Sequence, residues 1–182
     1  ATVVLLPFSG LLEKLACLTI RDDEKAGEDL EENEDFKLLD ERFLAQPAFA
    51  VEQCRVVAVR MAELTMEAVD AACNLIDGEE YTDEKADRIA ALETKIDHYE
   101  DKLGTYMVKL SHMNLSKDDS HLVSMLLHSI SDFERISDHA ASLMHAAREM
   151  HDKNLTFSEM AAKELTVFAK ATRDIVNRAV KS

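Results

Sequence analysis

From Val51 to Ala179, apolar residues recur at steps of three and four in four long runs with very little to interrupt them. That spacing lines one face of an α-helix and differs from the two-residue alternation of a half-buried strand. Four glycines and two prolines in 182 residues are too few turn-formers for a sandwich or barrel, which needs one roughly every 8–12 residues. The chain is therefore expected to be all-α, an antiparallel up-and-down helical bundle over residues 46–182.

Punctuation sets the helices. Gln46-Pro47 opens the first, with proline where a missing N–H costs nothing, and Asp77-Gly78 closes it, with glycine placed for a left-handed cap. Its stripe is Val51, Cys54, Ala58, Met61, Thr65, Ala68, Ala72 and Leu75. Thr82 with Asp83 and Glu84 starts the second, the acids suiting the positive helix end. Ile89, Leu92, Ile96, Tyr99, Leu103, Tyr106 and Leu110 form its stripe. Ser116 with Asp119 resembles a capping box and opens the third helix; Thr156 with Glu159 is expected to open the fourth. The third stripe runs Leu126, Ile130, Phe133, Ser137, Ala140, Met144, Ala147. Met160, Val167, Phe168, Ala171, Ile175 and Ala179 are expected to be the buried side of the fourth. Short connections make consecutive helices antiparallel neighbours.

Charge narrows the partners. The net charge is −15, so phosphate backbones are repelled and nucleic acid is excluded as a partner. Eleven carboxylates lie between Asp22 and Glu41 against only Lys25 and Lys37. Residues 21–45 thus read as a solvated acidic linker. Residues 1–20 are apolar, with Pro7, Glu13 and Lys14 inside them. They read as an N-terminal helix, either amphipathic or the end of a membrane helix, and no basic leader precedes them. Their apolar side needs cover, on the bundle or on a second copy, so a homo-oligomer is one expected outcome. Cys17, Cys54 and Cys73 show no C-x-x-C spacing, which argues against a disulfide framework or thiolate metal site.

One motif carries chemistry. Glu93-Thr-Lys-Ile-Asp97-His98 on the second helix and Glu134-Arg-Ile-Ser-Asp138-His139 on the third are both E-x-x-x-D-H. Carboxylates at i and i+4 share a helix face and repel, so the repetition invites a cause. The motifs are centred on Lys95 and Ile136, and the turn expected at Ser111–Lys117 lies midway. In an antiparallel hairpin they should stand at the same height. Four converging carboxylates would make an oxygen-rich cation site. Glu93, Asp97, Glu134 and Asp138 are the expected ligands, with Asp101, His139 and His145 as additional candidates. Carboxylates suit Mg, Ca or Mn, and histidine would admit Fe or Zn, so the cofactor expected is a divalent or iron-type metal ion. The competing reading is ordinary surface acid balanced by Lys95 and Arg135. No glycine-rich phosphate loop, H-E-x-x-H or nucleophile elbow is present, and a di-iron enzyme would want Glu-x-x-His pairs. The chain is not expected to be an enzyme.

The stretch Ser131-Asp-Phe-Glu-Arg-Ile-Ser-Asp-His-Ala140 resembles the D-x-E-R-I-[GS]-D-H-A signature of PhoU-type domains. Glu93 to Asp101 is similar to the preceding carboxylate motif of that three-helix repeat. The resemblance implies metal binding at Glu93, Asp97, Glu134 and Asp138; Ser142 stands where many relatives have Asn. Leu39 to Gln53 is similar to the segment joining the last membrane helix to the PhoU-like tail in bacterial sodium/phosphate cotransporter family proteins, and Leu5 to Leu15 resembles the end of that helix. The resemblance implies a regulatory PhoU-like domain of a sodium-dependent phosphate cotransporter, on the cytoplasmic face of the cell membrane. Its partner would be the membrane domain of the same transporter. The alternative is a free-standing PhoU-type adaptor acting on a phosphate transporter and a sensor kinase.

Overall fold

The computed structural model describes residues 34–78 and 80–180. The apolar helix expected at residues 1–20 and most of the acidic linker lie outside the described residues. Contacts divide the chain after Lys37, and the helical unit begins at Leu38. It opens with a 3-10 turn, Glu41–Ala45, at the end of the stretch expected to be linker. Two bonds tie this turn to the second long helix. The Tyr106 hydroxyl donates to the Asp40 carbonyl at 3.1 Å, and Lys109 pairs with Glu41 at 2.6 Å.

Four α-helices follow: α1 Pro47–Ile76, α2 Asp83–Ser111, α3 Lys117–Asp152 and α4 Glu159–Val180. The expected starts of the first three hold. Pro47 begins α1, the Thr82 hydroxyl accepts from the Lys85 N–H at 3.3 Å, and the Ser116 hydroxyl accepts from the Asp119 N–H at 3.1 Å. Gly78 follows α1 with φ +106°, a conformation that glycine alone adopts without strain. At α4 the cap is Ser158, whose hydroxyl accepts from the Ala161 N–H at 3.3 Å, and not the expected Thr156.

α1 lies centrally and packs against α2, α3 and α4, while α2 also packs on α3. Its sequence explains why. Beyond the expected stripe it buries Val57, Ala62, Leu64, Val69 and Cys73, giving it two apolar faces. Alanine at 50, 58, 62, 68 and 72 keeps those faces thin enough for close helix approach. All seven stripe residues of α2 are buried, as are Ile130, Ser137, Ala140, Met144 and Ala147 of α3. Two core hydroxyls differ. Thr65 donates to the Met61 carbonyl at 3.0 Å, whereas Ser137 Oγ is buried with no hydrogen-bond partner.

α4 departs from expectation. Met160, Val167, Phe168, Ala171, Ile175 and Ala179, read from sequence as its buried side, are all exposed. Only Ala169 is fully buried. The opposite, more polar side docks on the end of α1. Thr166 donates to Asp77 Oδ1 at 2.5 Å, and Arg173 bonds Asn74 and pairs with Asp70 at 3.6 Å and Asp77 at 3.8 Å.

Candidate functional site

The register of α2 against α3 decides which carboxylates meet. A β-carbon built on Gly104 would stand 3.9 Å from Ile130 Cδ1, so these two residues face each other across the seam. In an antiparallel pair, four residues back from Gly104 is Glu100, and four on from Ile130 is Glu134. Another turn along, Asp97 comes level with Ser137 and Asp138. Glu93 comes level with Ala141, beyond the cluster. The mirror point of the hairpin is thus Lys117, inside the first turn of α3, and not the middle of the connecting loop.

Electrostatics agree with that register. Burial pushes the Glu134 carboxyl above the usual carboxylate range, and the charges of Asp138, Glu100 and Asp97 push it the same way, as does the hydrogen bond that a protonated Glu134 donates to the Asp138 carboxylate. Glu100 is raised too, by burial first and then by Asp101 and Asp97. Glu93 acts on neither; its carboxylate accepts from the Thr94 hydroxyl at 3.3 Å.

Of the four expected ligands, then, Asp97, Glu134 and Asp138 stand together, and Glu93 is one turn removed. Glu100 takes its place in the cluster. Sequence reasoning passed over it because the two motifs were aligned about the loop centre. The register is read from Gly104 against Ile130 in the structure, and no sequence signal supplied it. Asp101 borders the cluster through Glu100. His139 is exposed, about 100° round the helix from Asp138. His145 lies two turns further along α3, about 10 Å away. The Ser142 hydroxyl turns back to the Asp138 carbonyl at 2.9 Å.

The donors suit a hard cation in type, since carboxylate oxygens are what such ions take and mutual repulsion raises the benefit of a bound positive charge. Among the described residues no group of three or more His, Cys, Asp or Glu is already arranged to hold a metal ion. Binding would require rotamer changes in side chains that are half-buried (Glu100, Glu134) or exposed (Asp97, Asp138).

A second concavity, unforeseen from sequence, lies where the ends of α1 and α3 meet the start of α4. It encloses about 370 Å³ and is lined chiefly by Leu75, Tyr81, Met150, His151, Phe157 and Thr166. The Tyr81 and His151 rings stack at 4.8 Å, and Arg148 Nε donates to the Tyr81 hydroxyl at 2.8 Å.

The carboxylate cluster falls within residues 58–147, and that stretch matches the family model of the PhoU domain. The chain contains a PhoU-like domain. No curated protein and no solved structure matches the chain. The match runs from the middle of α1 through most of α3, which is the three-helix unit holding the cluster, and ends before α4. The all-helical fold of the described residues fits a PhoU helical bundle. No helix among the described residues is long and apolar enough to cross a membrane.

Proposed function

We propose that this chain is a regulatory, non-catalytic module that acts on phosphate transport through a cation held between α2 and α3. The observation that carries the reading is the coincidence of a PhoU-like domain with the raised Glu134 carboxyl and its neighbours Asp138, Glu100 and Asp97. A divalent or iron-type ion would neutralise their repulsion and link two helices, so ion occupancy would alter the rigidity of the α2–α3 hairpin.

The finer reading is that the module is the cytoplasmic PhoU-like tail of a sodium-dependent phosphate cotransporter, with the membrane domain of that transporter as its partner. It rests on the likeness of residues 39–53 and of the apolar N-terminal segment to that branch. A free-standing adaptor for a transporter and sensor kinase is the other reading. Sequencing the parent gene upstream of Ala1 separates them, since membrane spans there support the tail and their absence supports the adaptor.

The cation site is tested by thermal denaturation of the chain with and without Mg, Mn or Fe(II). The metal should raise Tm, and Asp97→Asn combined with Asp138→Asn should abolish the rise. Glu100→Gln should weaken it, while Glu93→Gln should leave it intact. Equal metal response in the double variant and the parent would remove the cation from the proposal.

A further inference from the structure

We infer that the outward face of α4 is a self-complementary interface that pairs two copies of this chain, with α4 antiparallel to its counterpart about a twofold axis at Ala171. The inference is independent of the cation and of phosphate transport.

The starting observation is an apolar face that none of the described residues covers. Met160 is 72 % exposed, Val167 69 %, Phe168 75 % and Ile175 68 %, all on one 22-residue helix whose other side is fixed to α1. A contiguous apolar surface of this kind marks an association site.

Charge selects the occupant. Residues 159–180 carry four Lys or Arg against three Asp or Glu, and with Arg173 turned to α1 the rest of the helix is neutral within a chain of net charge −15. The α4 surface is therefore a place where a second copy of an acidic protein is not repelled.

The pattern along the face then fixes the geometry. Glu164, Ala171 and Arg178 follow one another at intervals of seven and share the exposed side. Glu164 and Arg178 each lie two turns from Ala171, about 10 Å along the axis in opposite directions. Neither has an ion-pair partner among the described residues. A twofold axis at Ala171 brings Glu164 against the partner's Arg178 and, by symmetry, Arg178 against the partner's Glu164. The same axis sets Val167 against the partner's Ile175. The small side chain of Ala171 at the crossing point permits close approach of the two helices. A parallel pairing would set Glu164 against Glu164 and Arg178 against Arg178, which is repulsive at both ends.

The test is sedimentation equilibrium of the full chain over a range of concentrations. A reversible monomer–dimer equilibrium is expected. Glu164→Arg alone and Arg178→Glu alone should each raise the dimer dissociation constant by about tenfold or more, because symmetry makes each change act twice. Combining them re-creates the opposite charges and should return the constant to within about threefold of the parent. Both positions are exposed, so far-UV circular dichroism should stay unchanged, as should Tm measured at a concentration where the parent is monomeric. A chain that is monomeric at every concentration overturns the inference. So does a dimer indifferent to the single changes, or one that the double change fails to restore.

Discussion

Glu100 on α2 stands across the helix seam from Glu134 on α3, in the register set by Gly104 against Ile130. Both carboxyls are raised, burial being the first cause in each and neighbouring carboxylates the next. The sign of the pH dependence follows. A carboxyl whose pKa is higher folded than unfolded binds more protons in the folded state, so its stabilising contribution is full at low pH. That contribution is lost as pH rises from the ordinary glutamate value through the raised folded one. In metal-free buffer, stability should therefore increase on mild acidification from neutrality, before general acid unfolding sets in. Glu134→Gln should stabilise the chain near neutrality by about 0.2–0.5 kcal/mol for each like-charged pair relieved, and flatten this part of the profile. Urea melts at several pH values check both; a profile unchanged by the substitution contradicts the cluster.

How much of this was legible beforehand depends on what periodicity encodes. The stripes of α1 and α2 were readable because every stripe residue, from Val51 to Leu75 and from Ile89 to Leu110, faces a neighbouring helix. The same logic located the apolar face of α4 and then misplaced it. Spacing shows that Met160, Val167, Phe168 and Ile175 share a side, and says nothing of what covers that side. Arg173 and Thr166, reaching Asp70 and Asn74 on α1 and Asp77 just beyond its end, turn the helix the other way. The carboxylate cluster was three-quarters legible. Asp97, Glu134 and Asp138 follow from the motifs, but Glu100 depends on the hairpin's mirror point, and loop length alone cannot fix that.

Two glycines should respond oppositely to alanine. Gly104 is mid-helix, and a β-carbon there meets Ile130 Cδ1 at an ordinary 3.9 Å. Gly104→Ala should stabilise by about 0.5–1 kcal/mol through helix propensity alone. Gly78 has open space around it but φ +106°, so Gly78→Ala should destabilise by about 1 kcal/mol or more through backbone strain. Chemical denaturation midpoints read both signs.

Ser137 occupies a stripe position with its hydroxyl buried and unpartnered. Removing an unsatisfied buried polar atom relieves its desolvation cost, which is of order 1–3 kcal/mol. Ser137→Ala keeps the small volume and should raise stability by about 1 kcal/mol. The corresponding Thr65→Ala change loses a satisfied bond to the Met61 carbonyl as well as a methyl group, and should destabilise. Equal effects at the two positions would contradict the assignment of Ser137 as unsatisfied.

The attachment of α4 rests on few groups, which makes it separable from the three-helix unit. Arg173 is the central one, with its side chain 27 % exposed and its guanidinium shared among Asn74, Asp70 and Asp77. Arg173→Ala removes those bonds while leaving Leu103, Tyr99, Met61 and the rest of the core among α1, α2 and α3 untouched. Hydrogen exchange should therefore quicken in α4 and remain unchanged in the middle of α2. The local opening free energy of α4 should fall by about 1–2 kcal/mol, the lower part of the range for charged hydrogen bonds because the site is partly solvated. If α2 amides lose protection in parallel with those of α4, the two parts unfold as one unit and α4 is integral to the bundle rather than docked upon it.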